Sequence, residues 1–228
     1  MQFGPFEERI GFTFTDKRLI ETAFTHRSYL NENRMPGREH NERLEFLGDA
    51  ILELVVTEFL YTKYPTKPEG ELTAFRAALV NTVSIAEAAT KLGMNDYLLL
   101  SRGEAKDTGR ARQIILANAF EALIGALYLD QGYDAAKQFI ADQLFHKTDE
   151  VVEKRLWQDA KSKLQEIAQD KLAVTPTYEL MSQTGPDHDK QFVVAAYLGR
   201  DKVALGEGRS KQEAEQDAAQ KALIAKGW

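Results

Sequence analysis

The 228-residue chain has no cysteine. That excludes disulfides and thiolate metal sites, so a bound metal must be held by carboxylate, amide or imidazole groups, and hard cations are favoured. Positive charge is also scarce, with 29 Lys and Arg against 35 Asp and Glu and a net charge of −6. Residues 1–155 carry −5 and residues 156–228 carry −1. Neither part offers a broad positive field, so any grip on nucleic acid must come from a few well-placed side chains. Long apolar runs are missing too. The most apolar stretch, 114–129, is shorter than the roughly 20 residues that span a bilayer, and it contains Glu121. It reads as a buried helix of a soluble domain, with no membrane partner expected. The opening MQFGPFEERIGF has no basic region followed by an apolar run, so a cytoplasmic location is the expectation. No internal repeat or low-complexity tract is visible.

What is present suits two domains. From Thr15 to about His146, apolar residues return at three- and four-residue steps, the mark of helices. One long helix is expected over 41–64, stopped by Pro65. The turn Pro65-Thr-Lys-Pro68-Glu-Gly70 launches another from about Glu71, and further helices are expected over 114–130 and 134–146. Polarity then rises. We place a domain at 1–147, a linker at 148–159 and a second domain at 160–228. In the second, a helix near 160–171 is followed by strand-like TYELMSQ, QFVVAAYLG and KVALGEG, then by a helix over 210–226. Ser210-Lys-Gln-Glu213 fits a capping box at the start of that last helix.

The chemistry-bearing feature is Asn41-Glu42-Arg43-Leu44-Glu45-Phe46-Leu47-Gly48-Asp49-Ala50-Ile51-Leu52. At about 100° per residue, Glu42, Glu45 and Asp49 fall within roughly 60° on one helical face. Three such carboxylates repel one another unless a cation lies between them, and a divalent ion with oxygen ligands would serve. Glu121 stands in the apolar run ILANAFEALIGALYL with Asn118 one turn earlier, and an ionised carboxylate there is costly unless paired. Glu69, at the turn before a helix, is a further acidic candidate. Periodicity alone leaves other readings open: a solvated acidic face, an ion-paired core glutamate at 121, and an ordinary core aromatic at Phe46.

These residues resemble the ribonuclease III family. NERLEFLGDAIL looks like its signature, and the similarity runs on through Thr25-His26-Arg27-Ser28, Pro68-Glu69-Gly70, Phe75-Arg76-Ala77-Ala78-Leu79-Val80 and Glu121-Ala-Leu-Ile-Gly125. From Ala160 the chain resembles a double-stranded-RNA-binding domain in Ser162-Lys-Leu-Gln165-Glu166, Gly185-Pro186-Asp-His188 and Gly208-Arg209-Ser210-Lys211. The resemblance implies an all-α N-terminal endonuclease domain followed by a small α+β (α-β-β-β-α) double-stranded-RNA-binding domain. It implies a metal-dependent endonuclease of double-stranded RNA that leaves 5′-phosphate and 3′-hydroxyl ends and works in rRNA and mRNA precursor processing.

By the same resemblance Glu45 and Glu121 are metal ligands, Asp49 and Glu121 act in catalysis, and Glu42 and Glu69 support the site. Mg²⁺ is the implied cofactor, with Mn²⁺ a possible substitute. The implied assembly is a homodimer with Phe46 packed into the partner. On the RNA side, Ser162, Gln165, Glu166 and His188 would meet the minor groove and its 2′-hydroxyls, and Arg209 and Lys211 the phosphates. One departure stands out: the family pattern usually has aspartate where this chain has Asn118, whose amide oxygen can ligate Mg²⁺ but brings no charge. A weakened enzyme that only binds duplex RNA is the alternative this substitution suggests. Gln212, at a position often basic, points to modest, salt-sensitive RNA affinity.

Overall fold

Prolines, glycines and short polar side chains set the limits of the helices. The computed structural model describes residues 2–33, 35–153, 157, 159–186 and 190–228. It divides into two units, Met1–Trp157 and Gln158–Trp228. The first is helical: α1 Gly4–Ile10, α2 Lys17–Ala23, α3 Arg27–Glu32, α4 Glu42–Lys63, α5 Glu69–Leu79, α6 Thr82–Lys91, α7 Arg110–Gln131, α8 Tyr133–Leu144 and α9 Thr148–Glu153. Asp16 caps α2 by accepting the Arg18 N–H (3.0 Å), and Asn81 caps α6 through Ser84 (2.9 Å). Pro68, extended and lacking an N–H, precedes α5, which begins two residues earlier than the sequence suggests.

α7 is the central element of this unit. Ile115, Leu116, Ala117, Ala119, Phe120 and every residue from Ala122 to Leu127 are buried. At 22 residues it is longer than the apolar run suggests, and by length and composition it is the one helix among the described residues that could cross a membrane. Its burial inside a helical core accounts for that composition.

The expected linker is a correction. Residues 148–153 form α9, Val151 and Val152 pack on the helical core, and the Trp157 ring meets Phe75 edge-on at 5.1 Å. The first unit therefore runs to Trp157. The polar residues around these three apolar anchors conceal them in the sequence.

The second unit has α10 Ala160–Leu172, strands β1 Pro176–Thr184, β2 Gln191–Leu198 and β3 Asp201–Gly208, and α11 Lys211–Lys226. The sheet is antiparallel in the order β1-β2-β3. Leu164 and Ala168 of α10, Ala196 and Leu198 of β2, and Ala218, Ala219, Ala222 and Leu223 of α11 make its core. A Cβ at Gly206 would fall 2.6 Å from Ala218 Cα, so glycine there lets α11 lie close on the sheet. The cap of α11 differs from the expected box in one detail. Ser210 Oγ accepts the Glu213 N–H (3.1 Å), but the Glu213 carboxylate accepts from the Arg209 N–H (2.9 Å) rather than from Ser210.

Candidate active site and RNA-contacting residues

The site begins with two glycines. α4 and α7 cross so closely that a Cβ at Gly48 would lie 2.6 Å from the Glu121 carbonyl carbon and closer still to its oxygen. A Cβ at Gly125 would likewise collide with the Leu44 carbonyl. This crossing sets Glu45 and Asp49, which flank Gly48, against Asn118 and Glu121 of α7. Burial and the charges of Asp49 and then Glu45 push the Glu121 carboxyl up to about 7. Glu45 is also raised, first by burial and then by the charge of Glu42, with Asp49 adding to it; a hydrogen bond from the Asn118 amide works in the opposite direction. Among the described residues, no lysine or arginine is one of the groups acting on either carboxyl.

Four of the candidates, Glu45, Asp49, Asn118 and Glu121, are thus brought together. Among the described residues no group of three or more acidic or imidazole side chains is arranged to hold a metal ion by itself. The arrangement is three carboxylates and one amide, with Asp49 exposed at the edge. Such a set can neutralise itself only by taking up protons or a cation. Glu42 bears on Glu45 through its charge, while its own carboxylate pairs with Arg27 (3.2 Å) and faces His40 Nδ1 at 3.8 Å.

The structure does not bring Glu69 to the cluster within this chain. It is exposed as the first residue of α5 and lines a separate groove of about 500 Å³ with Thr57, Tyr61, Lys67 and Arg76. Sequence spacing placed it at a turn but held no information on which way α5 points. Phe46 is not a core aromatic. It is 82% exposed, on the same helix as exposed Leu54 and Tyr61. Residue type alone gives neither glycine a role, although Gly48 lies inside NERLEFLGDAIL and Gly125 closes Glu121-Ala-Leu-Ile-Gly125. Two small residues on helices that also carry acidic groups are the signal that could have found them.

In the second unit, Gln165 and Glu166 are exposed on α10, and Arg209 and Lys211 are exposed where α11 begins. The Ser162 hydroxyl donates to Asp159 Oδ2 (2.6 Å), so it serves the α10 cap. The α10 start is fastened to α11 by Lys161–Glu215 (2.6 Å) and by Gln216 donating to Asp159 (2.9 Å). His188 lies outside the described residues.

Residues 16–148 match the family model described as ribonuclease-III-like, and residues 160–225 match the double-stranded RNA binding motif. Together with the acidic crossing, these matches define the class: a double-stranded-RNA-specific endoribonuclease. The chain is 48% identical over 217 residues to Ribonuclease 3 of Enterococcus faecalis, covering 95% of this chain and 94% of that protein. It is 46% identical over 221 residues to Ribonuclease 3 of Bacillus cereus, covering 97% and 90%. A solved nuclease domain of ribonuclease III from Campylobacter jejuni superposes with a TM-score of 0.56 at 39% identity, over 62% of this chain and 98% of that one. The chain belongs to the ribonuclease III family. An RNA-binding protein with a silenced nuclease domain is not favoured by these relatives.

Proposed function

We propose that Glu45, Glu121 and Asn118 hold Mg²⁺, with Mn²⁺ an acceptable substitute, and that Asp49 beside them serves the hydrolysis of each RNA strand. The observation that carries this reading is the glycine crossing, which forces partly desolvated carboxylates together with no basic side chain, among the described residues, acting on them. The donors fit a hard cation: carboxylate and amide oxygens, no sulfur. Asn118 fits as well, since its amide nitrogen can donate to Glu45 while its oxygen turns to the ion. A divalent ion bound here supplies charge to the scissile phosphate and lowers the pKa of a bound water.

In the hydrolysis, water adds to phosphorus and the P–O3′ bond breaks, leaving 5′-phosphate and 3′-hydroxyl ends. Asp49, exposed at the rim, would take the proton of the attacking water, and Glu42 adds negative potential while Arg27 restrains it. On the duplex, Gln165 and Glu166 meet 2′-hydroxyls, and Arg209 and Lys211 meet phosphates beside the positive end of α11. Cytoplasmic processing of rRNA and mRNA precursors is the task the family resemblance implies.

The test is a Mg²⁺ titration on duplex and single-stranded RNA, with wild type beside Asn118→Asp. Wild type should cut duplex only, and EDTA should stop it. The aspartate variant should reach half-maximal rate at a Mg²⁺ concentration lower by about threefold to tenfold, because the added charge strengthens the ion site. Cutting in EDTA would remove the metal reading, and an unchanged metal requirement would remove the role of Asn118.

A homodimer is part of the same proposal. Phe46 projects from α4 on a face that also exposes Leu54 and Tyr61, and exposed aromatics of this size are typical anchors of an interface. The reported structure of the Campylobacter jejuni domain concerns a region involved in dimer formation of that protein. Light scattering should give about twice the 25.7 kDa chain mass for wild type and a shift to the single mass for Phe46→Glu. A wild-type monomer at micromolar concentration would remove the dimer.

A further inference from the structure

Thr25-His26-Arg27-Ser28 is part of the family match, yet the chemistry above gives most of it no role. It lies where the chain segments leading into α4 and α7 meet. Thr25 is fully buried, and its carbonyl accepts the N–H of Asn41, the buried residue directly before α4 (2.9 Å). The Asn41 amide donates in turn to the Ala23 carbonyl (3.3 Å). On the other side, the His26 N–H donates to the Leu99 carbonyl (3.1 Å) and the Leu99 N–H to the Phe24 carbonyl (2.8 Å), a short parallel bridge.

Ser28 closes the junction. Its Oγ accepts the Ser101 N–H (3.1 Å) and lies 2.8 Å from His26 Nδ1, which also accepts the Ser28 N–H (3.3 Å). A hydroxyl that accepts from Ser101 still has its own proton to give to Nδ1. Nδ1 accepting from both requires the neutral imidazole with its proton on Nε2. Burial favours the same neutral form, against the nearby charges of Glu104 and Glu42.

From Ser101 the network runs on to α7. Ser101 Oγ accepts the Glu104 N–H (3.2 Å), and Arg112, in the first turn of α7, donates to the Glu104 carbonyl (2.7 Å) and to Asn95 Oδ1 (2.8 Å). We infer that His26 and Ser28 are positioning residues for RNA cleavage: a hydroxyl–imidazole clasp that ties the approach to α7 to the approach to α4, and so sets the two acidic helices in register. Neither residue is placed to touch RNA by this account, which rests on the cleavage reading above.

The test compares full-length Ser28→Ala, Ser28→Thr and His26→Ala with wild type at saturating Mg²⁺. Threonine keeps the hydroxyl. Ser28→Ala and His26→Ala should lower kcat by about tenfold with KM for duplex RNA within about twofold, since small misplacements of reacting groups act on the chemical step. Ser28→Thr should recover to within about threefold of wild type. Hydrogen exchange at the Ser101 amide should quicken in Ser28→Ala and return to its wild-type rate in Ser28→Thr. Wild-type kcat in both alanine variants, a change in KM rather than kcat, or failure of threonine to restore rate and protection would each overturn the inference. A wild-type protein that does not cut duplex RNA would sink the functional reading instead, and Ser101 protection would still report on the clasp.

Discussion

Glu121→Gln is expected to lower kcat on duplex RNA by about a thousandfold or more while leaving duplex binding within about twofold. The amide has the shape of the acid but not its charge, and it would take the site's most buried carboxylate away from the ion. Binding should persist because the residues proposed to contact RNA in the second unit are untouched. Stability should move the other way. Glu121 titrates at about 7 in the folded chain against an ordinary 4.5, so without metal the fold favours its protonated form. That contribution is fully present below about 4.5 and is lost as pH rises through about 7. Glutamine removes this loss. In EDTA, thermal melts near pH 8 should therefore show the variant more stable than wild type, with the gap closing near pH 5. A variant that cuts duplex at the wild-type rate would sink the assignment.

Gly48→Ala should be the most damaging change of one methyl group in the nuclease unit. Helix propensity alone predicts the opposite sign, since alanine is favoured over glycine by about 0.8–1 kcal/mol inside a helix. Packing outweighs it. The new Cβ would press on the Glu121 backbone carbonyl, which is fixed inside α7 and has no rotamer to escape through. Separating α4 from α7 should cost about 3 kcal/mol or more, the upper end of overpacking penalties. It should also move Glu45 and Asp49 away from Glu121, so rate falls in whatever fraction still folds. Gly70→Ala is the control: nothing lies within 4 Å of a Cβ there, in α5, and its stability should be unchanged or slightly raised. Urea denaturation of the two variants checks the contrast; equal midpoints would show that the crossing is not tight.

Much of this was readable from residue types alone. The shared face of Glu42, Glu45 and Asp49 follows from helical spacing, and Glu121 is conspicuous as a charge in an apolar helix. Neither fact could bring the two helices together, because that depends on how α4 crosses α7, and the decisive residues there are side-chain-free glycines. Glu69 shows the limit in another way. Its acidity and turn position were visible, but the direction of α5, which takes it to a different groove, is a tertiary property. Phe46 looked like core by periodicity and is exposed, since a stripe of apolar residues does not say whether the surface it meets belongs to the same chain. The segment after His146 looked like a linker because polar residues dominate it, whereas Val151, Val152 and Trp157 hold it to the core.

Mn²⁺ binding followed across pH by calorimetry, for wild type and Glu121→Gln, tests the central claim most directly. Carboxyl groups that must lose a proton to hold the ion should bind it more tightly as pH rises through about 7 and release protons below that point. Glutamine at 121 should weaken binding strongly and flatten that pH dependence. Equal affinity in the two proteins at every pH, or no binding to wild type at millimolar Mn²⁺, would contradict the account.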